Sequence, residues 1–252
     1  METVNQLAYE AQRPALLVLI RHGESARNRA KMSNAYLPDD DESTTVVRGI
    51  PDHRIPLTER GRRQALAISS AIRERYGVFD AVYDSGYLRT IQTREAVLAS
   101  YSAEERRAMK IRTSHLIHER LAGYAYDMSE KEVRLNFPWF PDYWDQFGPF
   151  YAVPPGGESQ EMACARVYRF NGIIFEQRRG KKVMVVNHGG TIRAFRFCLE
   201  RWTADEYAER YLRDAPENCS VTTYRFSPKT GRLELECFND VLWNEVDLVD
   251  GK

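Results

Sequence analysis

The sequence has few cysteines, no excess of charge of either sign and no long apolar run. Its 252 residues include four cysteines, Cys164, Cys198, Cys219 and Cys237, whose spacing fits neither a disulfide framework nor a metal-binding pattern. Lys and Arg together number 36, as do Asp and Glu, so the overall charge favours neither nucleic acid nor a membrane surface as partner. No apolar run reaches the length of a transmembrane helix.

The amino-terminal segment Met1 to Arg13 is polar and carries Glu2 and Glu10. It lacks the basic start and the apolar stretch of a secretion signal. Together with the scattered cysteines, this predicts a soluble, reduced, cytoplasmic protein. A length of 252 residues allows one large α/β domain or two small ones. No linker or internal repeat divides the chain, and we predict one domain over residues 1–252.

Two short apolar runs end in a histidine followed by a glycine. The run Ala15–Ile20 ends in Arg21 to Gly23, and the run Lys182–Val186 ends in Asn187 to Gly189. Such runs are typical of strands buried on both faces of an α/β sheet. Titratable side chains at the carboxyl ends of buried strands lie where open α/β sheets bind ligands. Each of the two strand ends is therefore a candidate position for a ligand-binding side chain, although the spacing alone does not place both in one pocket.

The remaining segments alternate between strand and helix patterns. Thr58 is placed to cap a helix whose apolar face holds Ala65, Ile68 and Ile72. The other predicted elements are the strands Phe79–Tyr83 and Lys110–Ile117, a helix that carries Arg89, the helix Ser159–Arg178, a capping box at Thr203, and a hairpin of Ser220–Phe226 with Arg232–Phe238. We predict an α/β fold, a three-layer α/β/α sandwich around a mostly parallel sheet with a C-terminal β-hairpin.

Two segments, about 31–56 and 124–157, do not fit this alternation and are interpreted as cap or insert segments. The first contains an acidic cluster, Asp39 to Glu42, for which a solvated loop tip is the favoured interpretation. The second is rich in aromatic residues between Phe137 and Pro155, interleaved with five prolines, which excludes a regular helix throughout. A packed cap and a substrate wall both remain open for these rings.

Several strings resemble motifs of the histidine phosphatase, or phosphoglycerate mutase-like, superfamily (branch 1), in the expected order over about residues 15 to 200. They are Arg21-His22-Gly23-Glu24-Ser25 with Asn28, the string Tyr83–Thr93, and Asn187-His188-Gly189-Gly190-Thr191-Ile192-Arg193. The resemblance implies that His22 is the nucleophile and that Glu119, with Gly123 four residues on, is the proton donor. It also implies that Arg21, Asn28, Arg89, His188 and Gly189 bind the phosphate.

The resemblance implies a phosphomonoesterase that hydrolyses a small phosphorylated metabolite through a phosphohistidine. The residue types suit this reaction, because phosphoryl transfer depends on positioning and on neutralising charge on the phosphate oxygens. Guanidinium groups supply forked, permanent charge for that purpose. No spacing of acidic residues offers a metal site, so we expect no cofactor and no metal. We expect no nucleic-acid or membrane partner, and a homodimer is left open.

Two alternatives remain beside the phosphatase. A mutase of the same family would return the phosphoryl group to substrate, and such mutases carry glutamate-arginine-histidine-tyrosine-glycine at the acid. Here the string is Glu119-Arg120-Leu121-Ala122-Gly123, which favours the phosphatase. A catalytically inactive binding domain is the other alternative, and the presence of all five expected polar residues argues against it. If Glu119 is not the acid, Glu158 and Glu24 are the next candidates.

Overall fold

The computed structural model describes residues 13–31 and 40–245, and its centre is a six-stranded sheet. The strands are β1 (Leu16–Arg21), β2 (Ala81–Asp84), β3 (Lys110–Thr113), β4 (Lys182–Asn187), β5 (Ser220–Ser227) and β6 (Arg232–Val241). Their order in the sheet is β3-β2-β4-β1-β5-β6. The first four strands run parallel, and β5 and β6 add an antiparallel hairpin at one edge. The predicted mostly parallel sheet and C-terminal hairpin are confirmed.

Strands β1 and β4 lie side by side at the centre of the sheet and end at the same level. Leu16 is paired with Lys182 at one end, and Arg21 is paired with Asn187 at the other. Both strands are apolar and almost completely buried, as expected for central strands covered on both faces. The residue that follows each strand is therefore delivered to the same edge of the sheet, next to its counterpart.

Helices cover both faces of this sheet. They are α1 (Ala26–Arg29), α2 (Asp41–Thr44), α3 (Glu59–Ala67), α4 (Ser69–Tyr76), α5 (Leu88–Val97), α6 (Ala103–Ala108), α7 (Glu130–Asn136), α8 (Phe140–Tyr151), α9 (Gln160–Gln177), α10 (Gly189–Glu200) and α11 (Ala204–Arg210). Short 3₁₀ turns span Asp52–Arg54, Leu98–Ser100, His115–Ile117 and Gly123–Asp127. In the described part of the chain, none of the helices combines the length and apolarity needed to cross a bilayer.

The period-two alternation of the strands divides the core into two layers. Leu16, Val18 and Ile20 of β1 belong to a buried cluster with residues of α3, α4 and α5. Leu17 and Leu19 belong to a second cluster with residues of α9, α10 and α11 on the other face. Burial of such side chains is worth about 1.5–3 kcal/mol each, so both layers contribute to holding the sheet.

The caps follow the sequence prediction closely. The Thr58 hydroxyl accepts a hydrogen bond from the Gly61 N–H at 3.0 Å and begins α3. Ala65, Ile68 and Ile72 are buried on one face as predicted, although the helix bends at Ile68 and continues as α4. The capping box at Thr203 is likewise present at the start of α11.

The predicted strand Lys110–Ile117 is too long. In the structure β3 ends at Thr113, and a 3₁₀ turn occupies His115–Ile117. The reason is that β3 is an edge strand whose one neighbour, β2, ends at Asp84. After the bond from the Ser114 N–H to the Asp84 carbonyl, the chain has no strand to pair with. His115 and His118 consequently do not alternate along a strand.

The two insert segments pack against each other within the described residues, which exclude 32–39 and with them Asp39. Arg48 pairs with Glu132 at 2.6 Å, and the Tyr126 hydroxyl donates to the Ile50 carbonyl at 2.7 Å. Helix α8 is interrupted at Gly148, where φ is 70°, as the proline-rich sequence predicts. The rings of this region pack largely on one another, which favours the packed cap over the substrate wall.

The turn after β1 is pressed directly against helix α3. A Cβ atom on Gly23 would lie 2.3 Å from the Gly61 carbonyl oxygen, and one on Gly61 would lie 2.0 Å from the Glu24 carbonyl oxygen. Neither contact leaves room for a methyl group, and both involve backbone that a rotamer change cannot move. The backbone around His22 is thereby held in place by a glycine nearly forty residues further along the chain.

We predict that Gly61→Ala and Gly172→Ala change stability in opposite directions. Both glycines lie inside helices, where alanine is favoured by about 1 kcal/mol. Gly172 has open space around it, so its replacement should raise the free energy of unfolding by about 0.5–1 kcal/mol. Gly61→Ala should lower it by about 2 kcal/mol or more because the backbone must move. Urea denaturation measures both, and an undiminished stability of Gly61→Ala would refute the contact.

Candidate active site

His22 and His188 face each other at the carboxyl ends of β1 and β4. Their ring centroids are 5.1 Å apart, and both side chains are almost completely buried. The in-register pairing of the two strands produces this proximity. The backbone N–H of His22 continues the pairing by donating to the Asn187 carbonyl at 3.0 Å. The two histidine motifs predicted from sequence therefore form one site.

The hydrogen bonds of His22 define which ring nitrogen can react. Its Nδ1 lies 2.7 Å from the Gly23 carbonyl oxygen, which can only accept a hydrogen bond. In the neutral ring Nδ1 therefore carries the proton, and Nε2 keeps its lone pair. Burial, and then the positive charge of Arg89, hold the pKa of His22 well below its ordinary value. The ring is accordingly neutral near pH 7, as a nucleophile must be.

A relay of hydroxyl groups orients His188. The Thr90 hydroxyl donates to the Tyr87 carbonyl, so its oxygen accepts from Ser85 at 2.9 Å. The Ser85 oxygen is then the acceptor for His188 Nε2 at 2.8 Å. His188 Nδ1 is buried without a hydrogen-bond partner among the described residues. This nitrogen is available to a bound group, and burial followed by Arg89 lowers the pKa of the ring well below its ordinary value.

Arg89 lies on the first turn of α5 and is held by the first insert segment. Its Nη1 donates to the Asp52 carbonyl at 2.7 Å and approaches the Asp52 carboxylate at 3.1 Å. The guanidinium carbon lies 4.8 Å from the centre of the Tyr87 ring, and the side chain is 2% exposed. Asp52 therefore fixes Arg89 next to the two histidines, which sequence reasoning did not anticipate.

A cavity of about 390 Å³ opens at Glu119 and Gly189, and most of its charged lining residues are cations. The predicted residues Arg21, Asn28, Glu119 and Gly189 line it. Its other charged lining residues are Arg27, Lys31, Arg120, Arg193 and Glu217. Burial and next the charge of Arg27 lower the pKa of Lys31 well below its ordinary value. This like-charge crowding marks the cavity as a place for an anion.

Main-chain carbonyls, and no carboxylate of the described residues, anchor three of these guanidiniums. Arg21 donates to the Pro216 carbonyl, Arg27 to the Tyr126 carbonyl at 3.1 Å, and Arg193 to the Tyr211 carbonyl at 2.9 Å. Each also has one buried nitrogen without a partner: Nε of Arg21, Nη2 of Arg27 and Nε of Arg193. A carbonyl fixes position without cancelling the charge, so these groups are preorganised for an anionic ligand.

Glu119 reaches the two histidines from the end of the segment that follows β3. Its Oε1 accepts from the Arg120 N–H at 2.9 Å and from the Gly190 N–H at 3.2 Å. A Cβ on Gly190 would lie 2.6 Å from that oxygen, so the second glycine of the His188 motif makes room for the acid. Burial raises the pKa of Glu119, but Arg89, the Arg120 N–H and His22 together outweigh it and lower the pKa.

The atoms of His22, Glu119 and His188 that could ligate a metal lie within 4.8 Å of one another. The sequence spacing did not reveal this group, because its members follow three separate strands. Two imidazoles and a carboxylate are ligands that zinc and iron accept. Arg89 and Arg21, however, disfavour a proton on His22, and the same positive field disfavours a metal cation. The surroundings fit an anion better.

The structure brings every predicted site residue to this edge of the sheet. The Oδ1 of Asn28 accepts from the Ser25 N–H and hydroxyl, which leaves Nδ2 as the donor of that side chain. Asn218 donates to the His22 carbonyl at 2.9 Å and to Asn28 Oδ1 at 3.3 Å, although no sequence pattern marked it. The alternative acids are engaged elsewhere: Glu158 forms a bidentate pair with Arg166, and Glu24 accepts from Thr58 and Arg60.

Comparison with known proteins gives a single family. The family model of the histidine phosphatase superfamily (branch 1) matches residues 17–240. A 2,3-bisphosphoglycerate-dependent phosphoglycerate mutase from Rhizobium etli is 30% identical over 193 residues, which cover 75% of this chain and 82% of the mutase. The corresponding enzyme from Parvibaculum lavamentivorans is 26% identical over 197 residues, which cover 77% of this chain and 83% of that enzyme.

Solved structures share the fold. The α-ribazole phosphatase from Shigella flexneri superposes with a TM-score of 0.69 at 20% identity, covering 89% of this chain and 96% of that one. A mycobacterial glucosyl-3-phosphoglycerate phosphatase in complex with inorganic phosphate gives a TM-score of 0.65 at 20% identity, covering 91% and 100%. At this identity the likeness concerns the arrangement of sheet and helices.

We predict that His22 stays neutral well below pH 6.5 and that Arg89→Met raises its pKa. Burial disfavours the imidazolium most, and Arg89 is the largest charge that opposes it. Removing that charge therefore raises the pKa of His22. Imidazole ¹⁵N shifts, assigned with His22→Asn, follow both proteins over pH 4–8. Arg107→Met, at an exposed arginine on α6, is the control and should leave the titration unchanged. A wild-type His22 that titrates near 6.5 would contradict the prediction.

Proposed function

The chain belongs to branch 1 of the histidine phosphatase superfamily, and from this premise we propose that it is a phosphomonoesterase that forms a phosphohistidine on His22. Its substrate is a small phosphorylated metabolite. The observation that carries the proposal is the neutral His22 ring, with Nε2 unprotonated, beside a cavity that holds Arg21, Arg27 and Arg193, none of which pairs with a carboxylate of residues 13–31 and 40–245. A nucleophile and a preorganised anion site are the two requirements of this reaction.

The first step transfers the phosphoryl group to the enzyme. The Nε2 lone pair of His22 forms a bond to phosphorus while the bond to the ester oxygen breaks in line with it. Arg21 and Arg89 hold the other phosphate oxygens, with Asn28 as a further donor. His188 donates from Nδ1 once its ring is protonated, which the negative charge of the bound phosphate favours. The departing oxygen takes the proton of Glu119, so the alcohol leaves neutral and Glu119 becomes a carboxylate.

Glu119 must acquire this proton when the substrate binds, because the positive surroundings lower its pKa in the empty site. A phosphate ester brings negative charge next to Arg89 and His22, the groups that hold the pKa down. Their effect on Glu119 is then offset, and its pKa rises. Near neutral pH part of a phosphate ester carries a proton, since its second pKa is about 6, and this proton supplies the acid.

The second step returns the enzyme to its starting state. The Glu119 carboxylate removes a proton from water while the water oxygen bonds to phosphorus and the bond from phosphorus to Nε2 breaks. Nε2 regains its lone pair and Glu119 takes up the proton of the water. Inorganic phosphate then leaves with that proton, which restores the carboxylate of the empty site.

The mutase is the second candidate, because the curated relatives at 26% and 30% identity are named as mutases. A mutase would differ only in the acceptor of the second step, which would be an organic hydroxyl in place of water. The string Leu121-Ala122 after Glu119 and Arg120 differs from that of mutases and favours hydrolysis. Cytoplasmic localisation, supported by four unpaired thiols, stays a prediction, as do independence from metal ions and a homodimer.

We predict that His22→Asn abolishes the phosphoenzyme, whereas His115→Asn leaves it intact. With a ³²P-labelled phosphomonoester, rapid quenching should trap an acid-labile, base-stable label on the wild type. The phosphatase rate of His22→Asn should fall by about 10³-fold or more. His115 is an exposed histidine in the turn after β3, so its variant controls for loss of an imidazole.

Excess chelator should leave the phosphatase rates of the wild type and of His115→Asn unchanged. The ratio of phosphate released to water to phosphate transferred to an organic acceptor separates hydrolysis from the mutase reaction. Normal turnover by a folded His22→Asn protein would refute the mechanism, and activity that needs added metal would refute its metal independence.

We predict that Glu119→Gln slows phosphoenzyme formation about 10²–10⁴-fold for alkyl phosphates but far less for nitrophenyl phosphate. An alkoxide needs a proton to leave, whereas nitrophenolate is already a stable anion. Rapid quench isolates this first step from the later hydrolysis. Glu217→Gln removes the other carboxylate that lines the same cavity and should leave the ratio between the two ester classes unchanged. Equal losses for both classes in Glu119→Gln would assign the acid to another residue.

A further inference from the structure

A second cavity, of about 300 Å³, lies at the opposite end of the sheet from His22 and His188. Arg13, just before β1, and Arg232, at the start of β6, form one side of it. The second half of α9 forms the floor, and Arg201, directly after α10, closes the other side. The candidate active-site residues lie at or beyond the carboxyl ends of strands, and this cavity shares none of them.

The charge lining this cavity is of one sign. Arg13, Arg201 and Arg232 line it, and no aspartate or glutamate among the described residues does. In the described ranges 13–31 and 40–245, none of the three guanidiniums forms an ion pair. Burial and then the charges of Arg201 and Arg232 lower the pKa of Arg13, as expected when like charges converge. Three converging cations without a counter-charge favour an anionic ligand.

Arg13 is held in place before any ligand arrives. Its Nε donates to the Gly231 carbonyl at 2.9 Å, and its guanidinium carbon lies 4.5 Å above the centre of the Phe175 ring. A carbonyl and an aromatic face orient the group without neutralising it. The remaining guanidinium hydrogens are thus preorganised, which lowers the entropic cost of binding an anion.

Asn171 supplies a second, independent sign of a ligand. It lines the cavity from α9, its side chain is 3% exposed, and its Oδ1 has no hydrogen-bond partner in the part of the chain that the structure describes. Leaving a buried acceptor unpaired is costly, and a ligand that carries a donor would satisfy it. Asn171 lines the same cavity as the three arginines, so one molecule can meet both requirements.

Arg201 occupies a backbone conformation that suits glycine. Its φ and ψ are 59° and 46°, the left-handed region in which helices commonly end with a glycine. The arginine therefore contributes its side chain at a position where the backbone would accept glycine without strain. This makes Arg201→Gly a substitution that removes the charge and does not threaten the fold.

We propose that this cavity binds a small organic polyanion that also carries a hydroxyl group. Two or more carboxylate or phosphate groups accept hydrogen bonds from Arg13, Arg201 and Arg232, and the hydroxyl donates to Oδ1 of Asn171. A volume of about 300 Å³ suits a metabolite and is at the lower end of the range for small-molecule sites. This site is independent of the proposed phosphatase reaction.

Calorimetric titration of the full chain tests the proposal with two probes, citrate and pyrophosphate, at constant ionic strength. Orthovanadate at saturating concentration occupies the active site throughout, so that binding of citrate or pyrophosphate at the active site does not contribute to the measured heat. The variants are Arg201→Gly and Arg232→Gln. Arg107→Gln removes the same charge from an exposed arginine on α6, far along the chain from the cavity, and is the matched control.

We expect at least one probe to bind the vanadate-saturated protein with one-to-one stoichiometry. Affinity should fall about tenfold or more in Arg201→Gly and in Arg232→Gln, but not in Arg107→Gln. A preference for citrate assigns carboxylates as the ligand groups, and a preference for pyrophosphate assigns phosphates. Absence of saturable binding of both probes, or equal affinity in all four proteins, would overturn the site.

The hydroxyl contact has its own comparison. Tricarballylate has the three carboxylates of citrate without the hydroxyl, so the wild type should bind citrate more tightly. The preference should vanish in Asn171→Leu, which keeps the side-chain shape but removes the acceptor. Equal binding of the two acids by the wild type would overturn the contact with Asn171. Thermal unfolding of each variant without ligand verifies that its fold is intact.

Discussion

The in-register pairing of β1 with β4 is the constraint on which the functional site depends. Because Arg21 is paired with Asn187, the chain leaves both strands at one level, and His22 and His188 meet with ring centroids 5.1 Å apart. A shift of one residue would turn their apolar side chains to the wrong layers of the core as well as separating the rings. The same hydrophobic pattern that stabilises the sheet therefore sets the catalytic geometry.

Uncompensated positive charge is the second organising feature. Arg21, Arg27 and Arg193 are positioned by carbonyl oxygens, and of these arginines and Arg89 only Arg89 has a carboxylate partner within the described residues, Asp52. This arrangement keeps the histidines neutral and Glu119 ionised in the empty site. In the proposed mechanism, an arriving phosphate offsets this positive charge, so substrate binding itself prepares Glu119 as the acid. Stability and catalysis make opposite demands here, since the buried cationic groups cost free energy until an anion is bound.

The sequence was sufficient to predict the sheet and the caps at Thr58 and Thr203, because these follow from apolar period and capping chemistry. The meeting of the two histidine motifs was implied by the family resemblance and not by the spacing of the residues. The predicted length of β3 was wrong, because the end of this strand depends on where its neighbour β2 ends. Asp52, Asn218 and Gly190 were missed because their roles arise from contacts between distant segments. Ser85 could have been found, as it follows the strand next to β4 within the motif that contains Arg89.

The contact between Gly23 and Gly61 also bears on how such a sequence can change over generations. A side chain at either position collides with backbone contributed by the other's segment. Neither glycine can be replaced before the other, because a protein with only one of the two substitutions already has the clash. A lineage could escape only by a coordinated shift of the whole turn and helix. The two positions are therefore expected to remain frozen together among relatives, even where the surrounding residues diverge.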